Sequence, residues 1–197
     1  MRRSIAPVAL ALLAGCSQLP PTHYYVLEID RPPAAAAASG AVSIGVRPFA
    51  VDAPYDQERI VYRIGERSPE VGFYSYHLWA APLSSMLPAA VAGALSGTAG
   101  VLEIEPVASA RKYDAYLLGR VLAVEEIDVG ERQLVRAAIE LRLVDPGGAE
   151  LWSRTIEANG EARAGEVSAI VEELVRALGA ALDEARGGLA GALLRKC

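Results

Sequence analysis

Residues 12–16 read Leu-Leu-Ala-Gly-Cys, and the cysteine that closes them is the group in this chain best placed for covalent chemistry. Arg2 and Arg3 precede an apolar run from Ile5 to Leu13, and Ser17, Gln18, Pro20 and Pro21 follow in a polar, proline-rich stretch. A basic start, a short apolar stretch, small residues and a cysteine form, in that order, a bacterial lipoprotein signal. Ala14 and Gly15 are small enough to lie in a peptidase cleft. Cleavage between Gly15 and Cys16 frees an amine for acylation, and the Cys16 thiol accepts a diacylglycerol. The apolar run is too short for a bilayer span, which needs roughly 20 apolar residues, so a processed targeting segment explains it better. Each buried CH₂ of an attached chain contributes about 0.8 kcal/mol, and more than one chain anchors stably. The expected organisation is a signal peptide at 1–15, a lipidated tether at 16–23 and a single domain at 24–190.

Other chemistry is sparse. The two histidines are His23, in the tether, and His77, at an expected helix start. No HExxH, CxxC or Asp-rich loop offers a metal cage, no Gly-x-Ser-x-Gly elbow appears, and nothing calls for a cofactor. The small-residue stretch from Gly93 to Gly100 lacks the Lys-Ser/Thr of a phosphate loop and follows a helix, so it reads as a helix end and turn. Glu125, Glu126 and Asp128 are the best carboxylate cluster. Glu126 and Asp128 would share one face of a strand and could do acid–base work as a pair. With no partner near them in sequence, they read instead as a solvated strand end. Cys197, the last residue, has no intramolecular partner once Cys16 is lipidated, and no disulfide framework exists.

Cleavage leaves 182 of the 197 residues, enough for one domain with a sizeable core. Arg2 and Arg3 leave with the signal, so 17 basic residues face 24 acidic ones and the mature net charge is −7. So acidic a chain is not expected to bind nucleic acid or anionic headgroups through its overall field. Membrane attachment must come from the lipid on Cys16. Only the seven residues from Ser17 to His23 separate Cys16 from the first strand. Fully extended they span on the order of 25 Å, which holds the body close to its membrane.

The elements that follow are legible from period and punctuation. Tyr24–Ile29 reads as a strand, and residues 30–41, with Asp-Arg-Pro-Pro and five alanines, read as a loop. Val42–Phe49 alternates as a half-buried strand that Pro48 ends. Arg59–Arg63 and Val71–Tyr74 suit a hairpin. A helix is expected from about His77 to Leu95, capped by Ser75, with Pro82 in its first turn and Pro88 kinking or splitting it. Val101–Val107, Tyr113–Ile127, Gln133–Val144 and Leu151–Ala158 read as strands, the last three as an antiparallel meander turning at Asp145-Pro146-Gly147-Gly148. A final amphipathic helix spans about Glu166 to Ala185. Its polar face is mainly acidic, so its apolar stripe suits a sheet better than a membrane surface. The class is α/β, a mixed sheet with helices packed on it.

Aromatic residues crowd positions 55–79. Trp79 suits the core. Tyr62, Tyr74 and Tyr76 are the candidates for a partner-binding surface, since tyrosine is favoured at interfaces as well as in strand packing.

In order, the lipobox, Tyr24-Tyr25-Val26-Leu27, Ile44-Gly45-Val46-Arg47-Pro48, the Tyr55–Tyr62 segment and Tyr76-His77-Leu78-Trp79-Ala80-Ala81-Pro82-Leu83 form a recognisable series. Tyr116-Leu117-Leu118-Gly119-Arg120-Val121 and the terminal amphipathic helix complete it. The series resembles the ABC-type transport auxiliary lipoprotein family, the PqiC-like group. The resemblance implies a three-layer α/β domain similar to the anticodon-binding-domain-like fold. It also implies a non-enzymatic subunit of an MCE-type lipid transport system, lipid-anchored on the outer membrane and facing the periplasm. Its partners would be an MCE-domain protein with its transporter, and further copies of itself in a ring. Ser17, rather than Asp, after Cys16 is consistent with outer-membrane sorting. A regulator or assembly factor of a cell-wall or secretion machine is the alternative reading of the same residues.

Overall fold

The computed structural model describes residues 19–30, 41–108, 110–163 and 165–195. Gly15, Cys16, most of the expected loop at 30–41, and Cys197 lie outside the described residues.

The α/β class is observed. A nine-stranded mixed sheet carries two helices, and its organising strand is a long one, β7 (Ala115–Val129). Along one side β7 pairs antiparallel with β8 (Arg132–Val144), which in turn pairs with β9 (Glu150–Ala162). The expected meander is therefore present. Its first turn is the pair Gly130-Glu131, with Gly130 at φ +65°, and its second places Gly148 at φ +89° while Asp145 Oδ1 accepts the Gly147 and Ala149 N–H groups.

The other side of β7 is shared by three shorter strands, all parallel to it. β2 (Val42–Val46) pairs at Ala115–Leu117, β3 (Ala50–Val51) at Arg120–Val121, and β4 (Arg59–Ile64) at Glu125–Asp128. β4 forms the expected hairpin with β5 (Val71–Trp79), and β5 carries β1 (His23–Tyr25) on its far side. β6 (Val101–Pro106) closes the opposite end beside β2.

Two helix expectations need correction. Residues 75–79 belong to β5, so Ser75 caps no helix, and α1 begins only at Leu83 and ends at Leu95. Pro82 supplies the reason: it biases the preceding residue toward extended backbone, and it stands at the N-cap with φ −55° and ψ 138°. Pro88 does not split α1. Lacking an N–H, it leaves the Ser84 carbonyl without its i+4 donor, and that carbonyl accepts the Phe49 N–H at 3.1 Å. The missing helical bond thus becomes a tie between α1 and the β2–β3 connection. The second helix, α2 (Val167–Leu194), runs well past Ala185, because Leu189, Ala192 and Leu193 extend its buried stripe.

Both helices lie on one side of the sheet and touch each other, with Arg186 Nη2 donating to the Ser96 carbonyl at 3.4 Å. Beneath them Leu117 and Val121 of β7 pack with Ile139, Leu141 and Leu143 of β8, all fully buried. Each such side chain contributes about 2 kcal/mol through removal from water. Trp79 lies in this core at 2% exposure, as expected, though from a strand. The close fit is visible at Gly119, where an added Cβ would overlap the Phe49 ring. Gly119→Ala should therefore displace Phe49 and lower stability by about 1–3 kcal/mol. Urea denaturation of the two proteins measures this, and an unchanged midpoint would contradict the packing described.

Candidate functional site

Glu125 and Glu126 are neighbours on β7, so their side chains leave opposite faces of the sheet. Both are completely buried, which corrects the expectation of a solvated strand end. Tyr55, Arg63 and Tyr74 reach them from 52 to 70 residues earlier, and Gln133 from seven residues later across the β7–β8 turn.

On the helix-free face, Glu125 Oε2 accepts three hydrogen bonds. Tyr55, from the β3–β4 connection, donates its hydroxyl at 2.8 Å, and Arg63 of β4 donates Nη2 at 2.9 Å and Nε at 3.2 Å. Arg63 also donates to the Ser68 carbonyl in the β4–β5 turn. Glu125 Oε1 has no hydrogen-bond partner among the described residues, with Arg136 Nη1 lying 3.7 Å away. Burial, reinforced by the hydrogen bond to Glu125, pushes the Tyr55 phenol up to about 12. That keeps it a neutral donor.

On the other face, Glu126 lies among Tyr74, Gln133 and Asp128. The Tyr74 hydroxyl donates to its Oε2 at 2.7 Å and the Gln133 amide to its Oε1 at 2.8 Å. Gln133 is held in turn by the Gly165 N–H at 2.8 Å, just ahead of α2. Burial raises the Glu126 carboxyl from 4.5 to about 7, and the neighbouring Asp128 pushes in the same direction against the two donated bonds. The Tyr74 phenol is driven far above its ordinary range, by burial first and then by Glu126.

An aromatic stripe leads outward from this second carboxylate. The Tyr62 and Tyr74 rings lie 5.1 Å apart and tilted, and Tyr62 covers Gly72 so closely that a Cβ there would overlap its ring. Tyr74 meets His77 edge-on at 5.4 Å, and His77 stacks on His23 at 5.1 Å. Tyr25 Oη and His77 Nδ1 are 2.8 Å apart. His77 therefore sits within β5 rather than at a helix start, and His23, expected in the tether, opens β1. Burial and the facing His23 lower the His77 pKa. Of the three tyrosines singled out from sequence, Tyr62 and Tyr74 come together and Tyr76 stands further along β5; all three are half-buried.

Glu126 and Asp128 do share one face of β7, as expected, and Asp128 acts on the Glu126 carboxyl, whereas Glu125 leaves the opposite face. The raised Glu126 lies in the range useful for proton transfer, but it is sealed from solvent and its oxygens are taken by Tyr74 and Gln133. Among the described residues no group of three His, Cys, Asp or Glu side chains is placed to hold a metal ion. The stretch from Gly93 to Gly100 is a helix end and turn, with Gly97 and Gly100 at positive φ.

The raised Glu126 carboxyl makes a signed prediction. Between 4.5 and about 7 the folded chain holds a proton that the unfolded chain has released. Its stabilising contribution is complete below 4.5 and is lost as pH rises through about 7. Glu126→Gln cannot ionise, so its Tm should gain on the parent's as pH is raised from 5 to 8. Thermal unfolding across that range checks this; parallel Tm profiles would show that Glu126 does not titrate as described.

No curated protein matches this chain. Among solved structures, protein XCC0632 from Xanthomonas campestris superposes with a TM-score of 0.70 at 17% identity, over 89% of this chain and 98% of that one. A second crystal structure, of an uncharacterised protein, reaches 0.61 at 18% identity over 87% of this chain and 98% of its own. Both are likenesses of fold. The family model for the ABC-type transport auxiliary lipoprotein component matches residues 25–185, and the chain belongs to that family.

Proposed function

We propose that this protein is a lipid-anchored docking subunit of an MCE-type intermembrane lipid transporter, held on the outer membrane through Cys16 and facing the periplasm. The observation that carries this reading is a transport-auxiliary domain at 25–185 placed directly behind a lipidation motif. Membership in a lipoprotein family supports a membrane-anchored place in the envelope. No described helix is long and apolar enough to cross a membrane, and a lipidated Cys16 would supply the attachment. The buried carboxylates support a binding role over an enzymatic one, because Glu125 Oε2 and both Glu126 oxygens are committed to holding strands together. The half-buried Tyr62, Tyr74 and Tyr76 are the proposed contact residues. Of these, Tyr74 also bonds Glu126, so Tyr76 is the cleaner position to change.

Affinity recovery from solubilised membranes tests the proposal. The parent protein should bring down an MCE-domain protein with its permease and ATPase. Tyr76→Ala should recover less of them at an unchanged Tm. Cys16→Ser should remain folded but leave the membrane fraction and lose lipid labelling. Retention of that variant in membranes after a high-salt wash would refute the anchor. Recovery of a cell-wall synthase or secretion component in place of the transporter would favour the assembly-factor reading.

A further inference from the structure

After β1 the chain does not leave the body. Residues 26–30 run beside α2 and enclose with it, and with Ala94 of α1, a groove of about 560 Å³. Its floor is apolar, formed by Val26 and Ile29 from the segment and by Val171 and Val175 from α2. Gly179 allows the approach, since an added Cβ would stand 3.2 Å from the Ile29 side chain. Val26 is 52% exposed although it is apolar and directly follows a strand. A groove of this size suits a few inserted side chains, within the range of about 300–1,000 Å³ common for binding clefts.

The rim carries the opposite character. Among the described residues, Glu28, Asp30, Glu172 and Asp183 surround the floor, against one cation, Arg176. Arg176 is already held by Glu173, the next residue along α2 from Glu172. Asp183 pairs with Arg186 at 3.0 Å, whereas Glu28, Asp30 and Glu172 are exposed and make no ion pair with described residues. An apolar floor inside unpaired carboxylates is complementary to one kind of occupant, an apolar segment flanked by lysine or arginine. It opposes an anionic headgroup by like-charge repulsion.

We infer that the groove between residues 26–30 and α2 docks a basic, apolar-faced peptide segment of a partner protein. This deepens the docking role proposed above and rests on it for the partner's identity, though the groove can be tested alone. The groove opens beside β1, and so next to the expected tether. A partner held there would be held close to the membrane.

The test uses the purified full chain carrying Cys16→Ser and a synthetic amphipathic peptide of leucine and lysine, with a leucine–glutamate peptide as its control. Methyl NMR should show the lysine peptide shifting Val26, Ile29, Val171 and Val175. Reversing the rim with Glu28→Lys and Glu172→Lys together should weaken binding by about tenfold or more, the scale expected for loss of charge complementarity. Reversal of the exposed Glu131 and Glu157 should leave it nearly unchanged. Equal binding of the glutamate peptide, or equal loss in the two reversed proteins, would overturn the inference. So would groove shifts produced by lysophosphatidylcholine and not by the peptide. A Gly/Ser replacement of residues 32–38 that tightens peptide binding about tenfold would also overturn it, by assigning the groove to the chain's own loop. Intact peptide binding alongside failure to recover an MCE-domain protein would refute the transporter assignment and leave the groove standing.

Discussion

Everything around β7 depends on burying two adjacent carboxylates on opposite faces of one strand. An ionised carboxylate removed from water costs several kcal/mol unless it is paired and hydrogen-bonded. The two glutamates meet this demand differently. Glu125 takes a charged partner, Arg63, and a neutral one, Tyr55. Glu126 takes only neutral donors, Tyr74 and Gln133, and lies beside Asp128, so its carboxyl rises toward neutrality. A single strand thus holds one glutamate paired with an arginine and another that gives up its charge near neutral pH.

These partners are spread through the chain in a way that ties the fold together. Arg63 belongs to β4, Tyr55 to the loop before it and Tyr74 to β5, so the β4–β5 hairpin is fastened to β7 from both faces. Gln133, through the Gly165 N–H, joins the same cluster to the start of α2. The hairpin in turn carries β1, which pairs with β5 over only three residues and opens with His23. A tether ending at β1 would therefore pull on the part of the sheet that the glutamates secure. In the anchored docking subunit proposed above, this would give the buried carboxylates a mechanical role.

The sequence carried most of the architecture and little of this clasp. The meander was legible from long strand-like runs punctuated by the Asp145-Pro146-Gly147-Gly148 turn. The terminal helix was legible from its apolar stripe, though its three late glycines, Gly187, Gly188 and Gly191, hid its last two turns. Residues 75–79 were misread because Leu78 and Trp79 fit a helical stripe continuing to Leu95 as well as they fit a strand; only Pro82, through its effect on the residue before it, marks the true start. Glu125 and Glu126 were misread for a different reason. Two consecutive acids near the end of a strand look solvated unless their partners are known; Tyr55, Arg63 and Tyr74 lie 52 to 70 residues away, and Gln133, though near, faces Glu126 only once β8 folds back on β7. One available signal was Arg63, a cation set in a strand-like run beside Ile60, Val61 and Tyr62.

In this account the buried glutamates hold a scaffold together and perform no chemistry. A double-mutant cycle on Arg63 and Glu125 tests that most directly. Arg63→Met and Glu125→Gln should each lower stability by about 3 kcal/mol, since each strands a buried polar partner. The double variant should lose clearly less than the sum of the two. Additive losses, or single variants that keep full stability while abolishing partner recovery, would contradict the account and make the cluster a functional site in its own right.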